Sequence, residues 1–129
     1  DLKPFFLETI KERPNTIILG DYNIVHEDID IHNPKKNDKR SGCQPDEKAW
    51  LAEWFDGPFT DAFRHLYPNK QEFSWWSYRA GARDRDKGWR IDYLSVTDSI
   101  LPTLTSSAHY REVKHSDHCA VELNFDWNI

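Results

Sequence analysis

The apolar run Thr16, Ile17, Ile18 and Leu19 ends on Gly20 and passes directly into Asp21-Tyr22-Asn23. A short unbroken run of β-branched and apolar residues closed by glycine specifies a buried strand. Asp21 and Asn23 then stand at its carboxyl end, where open α/β sheets keep their ligands. Two readings compete for them. In one, Asp and Asn only make the turn by bonding their own backbone; in the other, they form one corner of a binding or catalytic centre.

The flanking segments set the fold class. Leu2, Phe5, Phe6, Thr9 and Ile10 recur at helical spacing between Pro4 and Pro14, which predicts an amphipathic helix over residues 2–12 with its aromatic face in the core. Residues 24–44 are polar with little periodicity, the kind of long irregular stretch that compact domains keep for function or motion. Pro45-Asp46-Glu47 opens a second predicted helix that carries Trp50, Leu51, Trp54 and Phe55 on one face and stops at Gly57-Pro58. Residues 59–67 fit a short strand or a helical turn equally well. Residues 72–78 and 89–96 read as the two strands of a hairpin around the charged loop 79–88. Residues 106–113 and 119–125 read as two more strands, joined by Lys114-His115-Ser116-Asp117-His118. Helix, strand, helix and then mostly strands implies α/β sandwich layers, not a regular doubly wound sheet.

Composition narrows the partners. The 129 residues suffice for one domain, able to bury about 65–70% of its unfolded surface. An aromatic content of 14% marks a folding chain despite a mean hydropathy of -0.82. No apolar run approaches the roughly 20 residues of a membrane helix. The start, Asp1-Leu2-Lys3-Pro4, has neither the basic flank nor the apolar core of a signal peptide. The expectation is therefore no membrane partner and a cytoplasmic address, nucleoid-associated in a bacterium or nuclear in a eukaryote. Cys43 and Cys119 have no metal-finger spacing and are expected as reduced thiols. The net charge of -5 argues against loose, charge-driven nucleic-acid binding. Basic residues nevertheless cluster at Lys35, Lys36, Lys39 and Arg40, and again at Arg79, Arg83, Arg85, Lys87 and Arg90, a local rim around an acidic centre.

Three polar groups sit at strand ends or turns: Asp21/Asn23, Asp92 and Asp117-His118. Asp92, read as mid-strand between Ile91, Tyr93 and Leu94, incurs a desolvation cost unless a charge or donor meets it. His118 is a good partner, because a carboxylate beside the imidazole fixes its tautomer and orientation. The competing reading is a purely structural Asp–His hydrogen bond. Carboxylates converging with an Asn amide and a His suit a hard divalent cation, Mg2+ with Mn2+ as the alternative, better than zinc. Without a glycine-rich phosphate loop or a Gly-x-Ser-x-Gly turn, metal-assisted phosphodiester hydrolysis is the reaction class left.

The chain resembles the C-terminal half of the exonuclease III type abasic-site (apurinic/apyrimidinic) DNA endonucleases, of the endonuclease/exonuclease/phosphatase superfamily. The resemblance runs through Ile17-Ile18-Leu19-Gly20-Asp21-Tyr22-Asn23, Asp30-Ile31-His32-Asn33-Pro34-Lys35, Asp61-Ala62-Phe63-Arg64, Phe73-Ser74-Trp75-Trp76-Ser77-Tyr78-Arg79, Gly88-Trp89-Arg90-Ile91-Asp92-Tyr93 and Ser116-Asp117-His118-Cys119. Several short motifs in one order and spacing are far more specific than any single one.

The resemblance implies half of a four-layer, DNase I-like α/β sandwich, with a mostly antiparallel mixed sheet and flanking helices. It implies that Asp21 activates or orients the attacking water, Asn23 positions phosphate or nucleophile, and Asp117, with Asp21, holds the metal. His118, oriented by Asp92, would stabilise the phosphorane. Trp75, Trp89 and Ile91 would line a flat apolar pocket for an extruded abasic sugar, with Trp76 packing behind; the competing reading of the tryptophans is hairpin core. Asn33, Lys35, Asn37, Arg40, Arg79 and Arg83 would contact the backbone of abasic double-stranded DNA. The implied activity is hydrolysis 5′ to abasic sites with 3′ to 5′ exonuclease or 3′ phosphodiesterase activity. The rivals are a related phosphohydrolase and a non-catalytic DNA- or partner-binding module. The family's further Asn, metal-binding Glu and phosphate-side Tyr belong to the upstream half. Alone, the chain is expected to be inactive and to dimerise, aggregate or require that half.

Overall fold

The computed structural model describes residues 1–128. The helix α1 (Lys3–Glu12) has Pro4 in its first turn, where the missing N–H is no loss. Only part of its aromatic face is core. Phe6 and Ile10 pack inward, whereas Leu2 and Phe5 are about two-thirds exposed, which corrects the expectation that the whole face is buried. The strand β1 (Ile17–Asp21) follows, beginning one residue later and ending two residues later than the apolar run suggests. After an irregular stretch holding a 3-10 turn (Asp28–Asp30) and a short helix α2 (Pro34–Asn37), α3 (Pro45–Asp56) begins with a capping box between Gln44 and Glu47. Leu51 and Trp54 of α3 are buried. The ambiguous segment is both things in turn: β2 (Phe59–Asp61), then α4 (Ala62–Leu66), with the Asp61 carboxylate capping Arg64 N.

The chain then runs to β3 (Asp92–Thr97), β4 (Leu104–Tyr110) and β5 (Ala120–Phe125). β3 is the centre of a three-stranded sheet of order β1-β3-β2, and β4 pairs with β5. All these pairings are antiparallel, so the described sheets are not mixed. The expected hairpin of residues 72–78 with 89–96 shrinks to a single bridge, Trp75 with Trp89. The reason is competition, because β3 spends both edges on β1 and β2. Residues 73–76 instead join a ladder of isolated bridges, Ile31 to Trp89, Trp89 to Trp75 and Trp75 to His118, which ties four distant segments together beside the sheet.

One sheet face packs Leu51, Trp54, Phe59 and Tyr93 under α1 and α3. Trp54 is stacked at 4.5 Å on Phe59, and its indole N–H donates to Ser95 Oγ, satisfying the ring's one polar atom. On the other face Ala62, Leu94, Val96 and Ile100 meet Leu104, Val121 and Leu123 of the second sheet. Both cysteines are free and buried, and burial pushes the Cys119 thiol up to about 11, so neither is a poised nucleophile. No described helix is long and apolar enough to cross a membrane.

Candidate active site

The register of β1 on β3 sets Asp21 directly opposite Asp92. Asp92 begins β3 and does not lie within it, so it occupies the strand end nearest the Asp21 turn. His118 arrives from the turn before β5, held by its bridge to Trp75. Its Nδ1 lies 2.8 Å from Asp92 Oδ2 and its Nε2 3.7 Å from Asp21 Oδ2. The hydrogen bond to Asp92 fixes which ring nitrogen faces the open side of the site. Asp21, Asp92 and His118 thus offer three ligand atoms within 4.8 Å of one another. Asp21 Oδ1 also accepts from Asn23 N at 2.8 Å, and Asn23 adopts a left-handed φ of 55°. The turn chemistry and the cluster therefore coexist in the same residues, because Oδ1 makes the turn and Oδ2 faces the imidazole.

Burial raises the Asp92 pKa above its ordinary value, and the hydrogen bonds from His118 and Ser74 only partly offset it. A folded-state pKa above the unfolded one contributes stability that is complete below the unfolded value and lost as pH rises through the folded one. Asp92→Asn is therefore expected to leave the melting temperature at pH 7 unchanged or higher, read by thermal unfolding, while lowering any hydrolytic activity. A melting temperature several degrees lower would make Asp92 a structural residue.

Next to the cluster a cavity of about 660 Å³ is lined by Asn23, Arg40, Ser41, Trp75, Trp89, Ile91, Asp117 and His118. Trp75 and Trp89 meet edge to face at 5.6 Å, and Trp89 and Ile91 share a cluster with Val25, Ile31 and Cys43. The expected pocket residues are therefore together, but only one wall is apolar, because Arg40, Ser41, Asp117 and His118 supply the rest. Arg40 lies over the Trp89 ring at 5.3 Å. Trp76, by contrast, is buried behind, as the alternation of an extended segment requires. The Asp117 carboxylate accepts from Trp75 Nε1 at 2.9 Å and lines the cavity, outside the Asp21, Asp92 and His118 cluster.

The expected DNA contacts divide. Asn33, Lys35, Arg40 and Arg79 are exposed, as a backbone contact requires. Asn37 is not: it is 5% exposed and its amide donates to the carbonyls of His32 and Asn33. Arg83 donates to the carbonyls of Arg111, Val113 and Ser116, which makes it a loop anchor and not a free cation.

Four features are absent from the sequence reading. Ser74 Oγ, fully buried, accepts from both Ile91 N and Asp92 N. The Tyr93 hydroxyl accepts from His26 N and lies 2.7 Å from Ile24 O and 2.9 Å from Arg90 O, pinning the chain beyond Asn23 to β3. Gly42 has φ +94°, and a Cβ there would meet Asn23 O at 2.9 Å and the Trp89 ring at 3.1 Å, so a side chain would intrude between turn and pocket. Behind the pocket floor, Arg90 bonds Asp30 Oδ1 at 2.8 Å and Asp61 in a two-pronged pair at 3.0 and 2.5 Å, while Arg64 also reaches Asp30. Burial alone would raise the Asp30 pKa, but Arg90 and Arg64 outweigh it and hold it below the ordinary carboxylate value. Arg90 is therefore not part of the basic rim expected from the sequence: it is 1% exposed and points behind the pocket, toward Asp30 and Asp61, which nothing local pairs with it.

The class defined by the fold and the site is an α/β half-sandwich whose strand ends gather two carboxylates, an imidazole and an Asn beside an aromatic cavity. The endonuclease/exonuclease/phosphatase family model matches residues 2–118, and the chain belongs to that family. It is 42% identical over 123 residues to an exodeoxyribonuclease of Bacillus subtilis, covering 95% of this chain and 48% of that protein. It is 35% identical over 119 residues to the DNA repair nuclease APEX1 of Danio rerio, covering 92% of this chain and 38% of that one. Among solved structures, the 3′ phosphatase NExo from Neisseria bound to a product DNA hairpin superposes with TM-score 0.93 at 28% identity, over 98% of this chain and 51% of that one. The fold is thus the expected DNase I-like one, and the chain spans about half the length of these relatives or less.

Proposed function

We propose that this chain is the C-terminal half of a divalent-cation-dependent DNA repair nuclease that hydrolyses the phosphodiester 5′ to abasic sites, with 3′ exonuclease or phosphodiesterase activity. The observation that carries the reading is Asp92 holding His118 Nδ1 while Nε2 faces Asp21, at the mouth of a cavity floored by Trp75, Trp89 and Ile91. Asp21 orients or deprotonates the attacking water, the Asn23 amide donates to the phosphate, and His118 presents its Nε2 side to the charge that develops on phosphorus-bound oxygen. An extruded sugar lacking a base would sit against the tryptophans, and the exposed Arg40, Asn33, Lys35 and Arg79 would contact the DNA backbone.

The donor set fits a hard cation. Asp21 offers a carboxylate oxygen in the group it forms with Asp92 and His118, whereas Asp117 stands outside that group on the cavity wall, so Asp21 would hold Mg2+ or Mn2+ directly and Asp117 would reach it through water. Such a cation supplies charge neutralisation at the phosphate. The exposed Leu2, Phe5 and Leu19 favour a partner surface, either the N-terminal half of the same fold or a second copy. The isolated chain is expected to be inactive, because the further Asn, metal-binding Glu and phosphate-side Tyr that the family resemblance implies belong to the upstream half.

A substrate panel separates this reading from a phosphohydrolase acting on another phosphoester. A complete protein containing this chain, given Mg2+, should cleave abasic duplex in preference to a 3′-phosphate end, an intact duplex and a small phosphomonoester. Preference for the small phosphoester would favour the rival, and binding without cleavage of any substrate would favour a non-catalytic module.

A further inference from the structure

Two arginines lock the loop that carries Arg79 to the turn that carries Asp117 and His118. Arg83 Nε and Nη2 donate to Arg111 O at 3.0 and 2.9 Å, Nη2 also to Val113 O at 3.0 Å, and Nη1 to Ser116 O at 2.8 Å. Arg111 returns the contact, donating through Nε and Nη2 to Arg83 O at 3.1 and 2.9 Å and through Nη2 to Asp84 O at 3.0 Å. The Arg83 guanidinium also lies over the Trp76 ring at 4.7 Å.

What this clasp holds is the approach to the site. Residues 112–116 are exposed, and Val113 N to Tyr110 O is the backbone bond that closes the turn. A turn so exposed has little of its own to fix the two residues after it. Ser116, whose carbonyl Arg83 takes, immediately precedes Asp117, and its hydroxyl accepts from His118 N at 3.0 Å. Asp117 is gripped from the same side, its carbonyl by Trp76 N at 3.1 Å and its carboxylate by Trp75 Nε1. A guanidinium has five N–H donors in a rigid fork, and here four of its contacts go to backbone carbonyls. That geometry suits a planar fork and not an ammonium, which is a point charge on a flexible stem.

We propose that Arg83 is a positioning residue: through its clasp with Arg111 it sets the backbone of the 111–116 turn and so delivers Asp117 and His118 to the site. It acts through the turn and does not contact DNA. The kinetic part of the test rests on the nuclease reading, but the spectroscopic part does not.

The spectroscopic test is the 15N spectrum of a complete protein containing this chain, read at the Trp75 indole N–H, which reports the Asp117 carboxylate, and at the His118 amide, with the Trp50 and Trp54 indoles as controls of the fold. Arg83→Lys and Arg83→Met should both displace or broaden the Trp75 and His118 signals and leave Trp54 in place. Adding Arg111→Met to Arg83→Met should shift them little further, since the two act as one unit. In a complete protein, both Arg83 variants should lose about tenfold in kcat with KM and salt dependence unchanged. The proposal is overturned if Arg83→Lys restores the wild-type spectrum, or if the reporters do not move in either variant. It is also overturned if Arg83→Met raises KM and lowers the salt slope by about one while Arg83→Lys does not, which is the behaviour of a phosphate contact. Should the complete protein fail to cleave abasic DNA at all, the nuclease reading falls while the spectrum still decides the clasp.

Discussion

Replacing His118 by alanine in a complete protein that includes this chain is expected to lower kcat by about 10²- to 10³-fold, the usual consequence of removing one preorganised donor to a developing oxyanion. The same loss is expected for Asn23→Ala. His118 is the more informative position because its geometry is set by a second residue, with Nδ1 at 2.8 Å from Asp92 and Nε2 turned toward Asp21. The contact that Asp92 makes in the site is the one to the imidazole, at a half-buried strand start where burial disfavours its charge. Combining Asp92→Asn with His118→Ala should therefore cost hardly more than His118→Ala alone, because a carboxylate that acts only through the imidazole has nothing left to orient. Single-turnover rates on one substrate, with melting temperatures of each variant alongside, measure both effects. Near-full activity of His118→Ala would remove it from the mechanism.

Arg90→Met should instead unfold the molecule, at a cost of about 3–5 kcal/mol, the usual consequence of removing one partner from a buried ion network. Arg90 is 1% exposed, Asp30 is fully buried and Asp61 nearly so. Its guanidinium is sandwiched between Phe63 and Tyr93, with centroid distances of 5.1 and 4.8 Å. Loss of the cation leaves Asp61 facing an apolar methionine and Asp30 with Arg64 alone. The defect should also spread to the pocket, because the network lies directly behind Trp89 and Ile91 and Arg90 N donates to Asp30 O at 2.7 Å. Urea unfolding followed by tryptophan fluorescence gives the stability change. A loss under 1 kcal/mol would mean that water reaches the network and screens it.

The contrast between these two substitutions shows what the sequence could carry. Local signals were legible: Pro4, Pro45 and Gly57 punctuate α1 and α3, and the run ending at Gly20 is β1. The polar residues at Asp21, Asn23, Asp92 and His118 could be singled out because an Asp among Ile91, Tyr93 and Leu94 demands a partner. Non-local choices were not legible. Whether β3 pairs with residues 72–78 or with β1 and β2 depends on which edge the sheet offers, and both partners are equally β-prone. Arg83 and Asn37 read as surface contacts because charge and polarity look alike in sequence whether they meet a phosphate or a backbone carbonyl. The Asp30, Asp61, Arg64 and Arg90 network joins residues far apart in the chain, and no spacing rule connects them.

The central claim is that Asp21, Asn23, Asp92 and His118 form the working part of a phosphodiester-cleaving centre that the remaining half of the fold completes. The most direct measurement is the Mg2+-dependent incision of a duplex bearing one abasic site, with the cleaved bond mapped, by this chain alone and by the same chain joined to the N-terminal half of the fold. The account predicts no incision by the chain alone and incision 5′ to the abasic site by the complete protein, lost with Asp21→Ala. It is contradicted if the complete protein leaves the abasic duplex intact, or if it cuts as fast with Asp21→Ala as without.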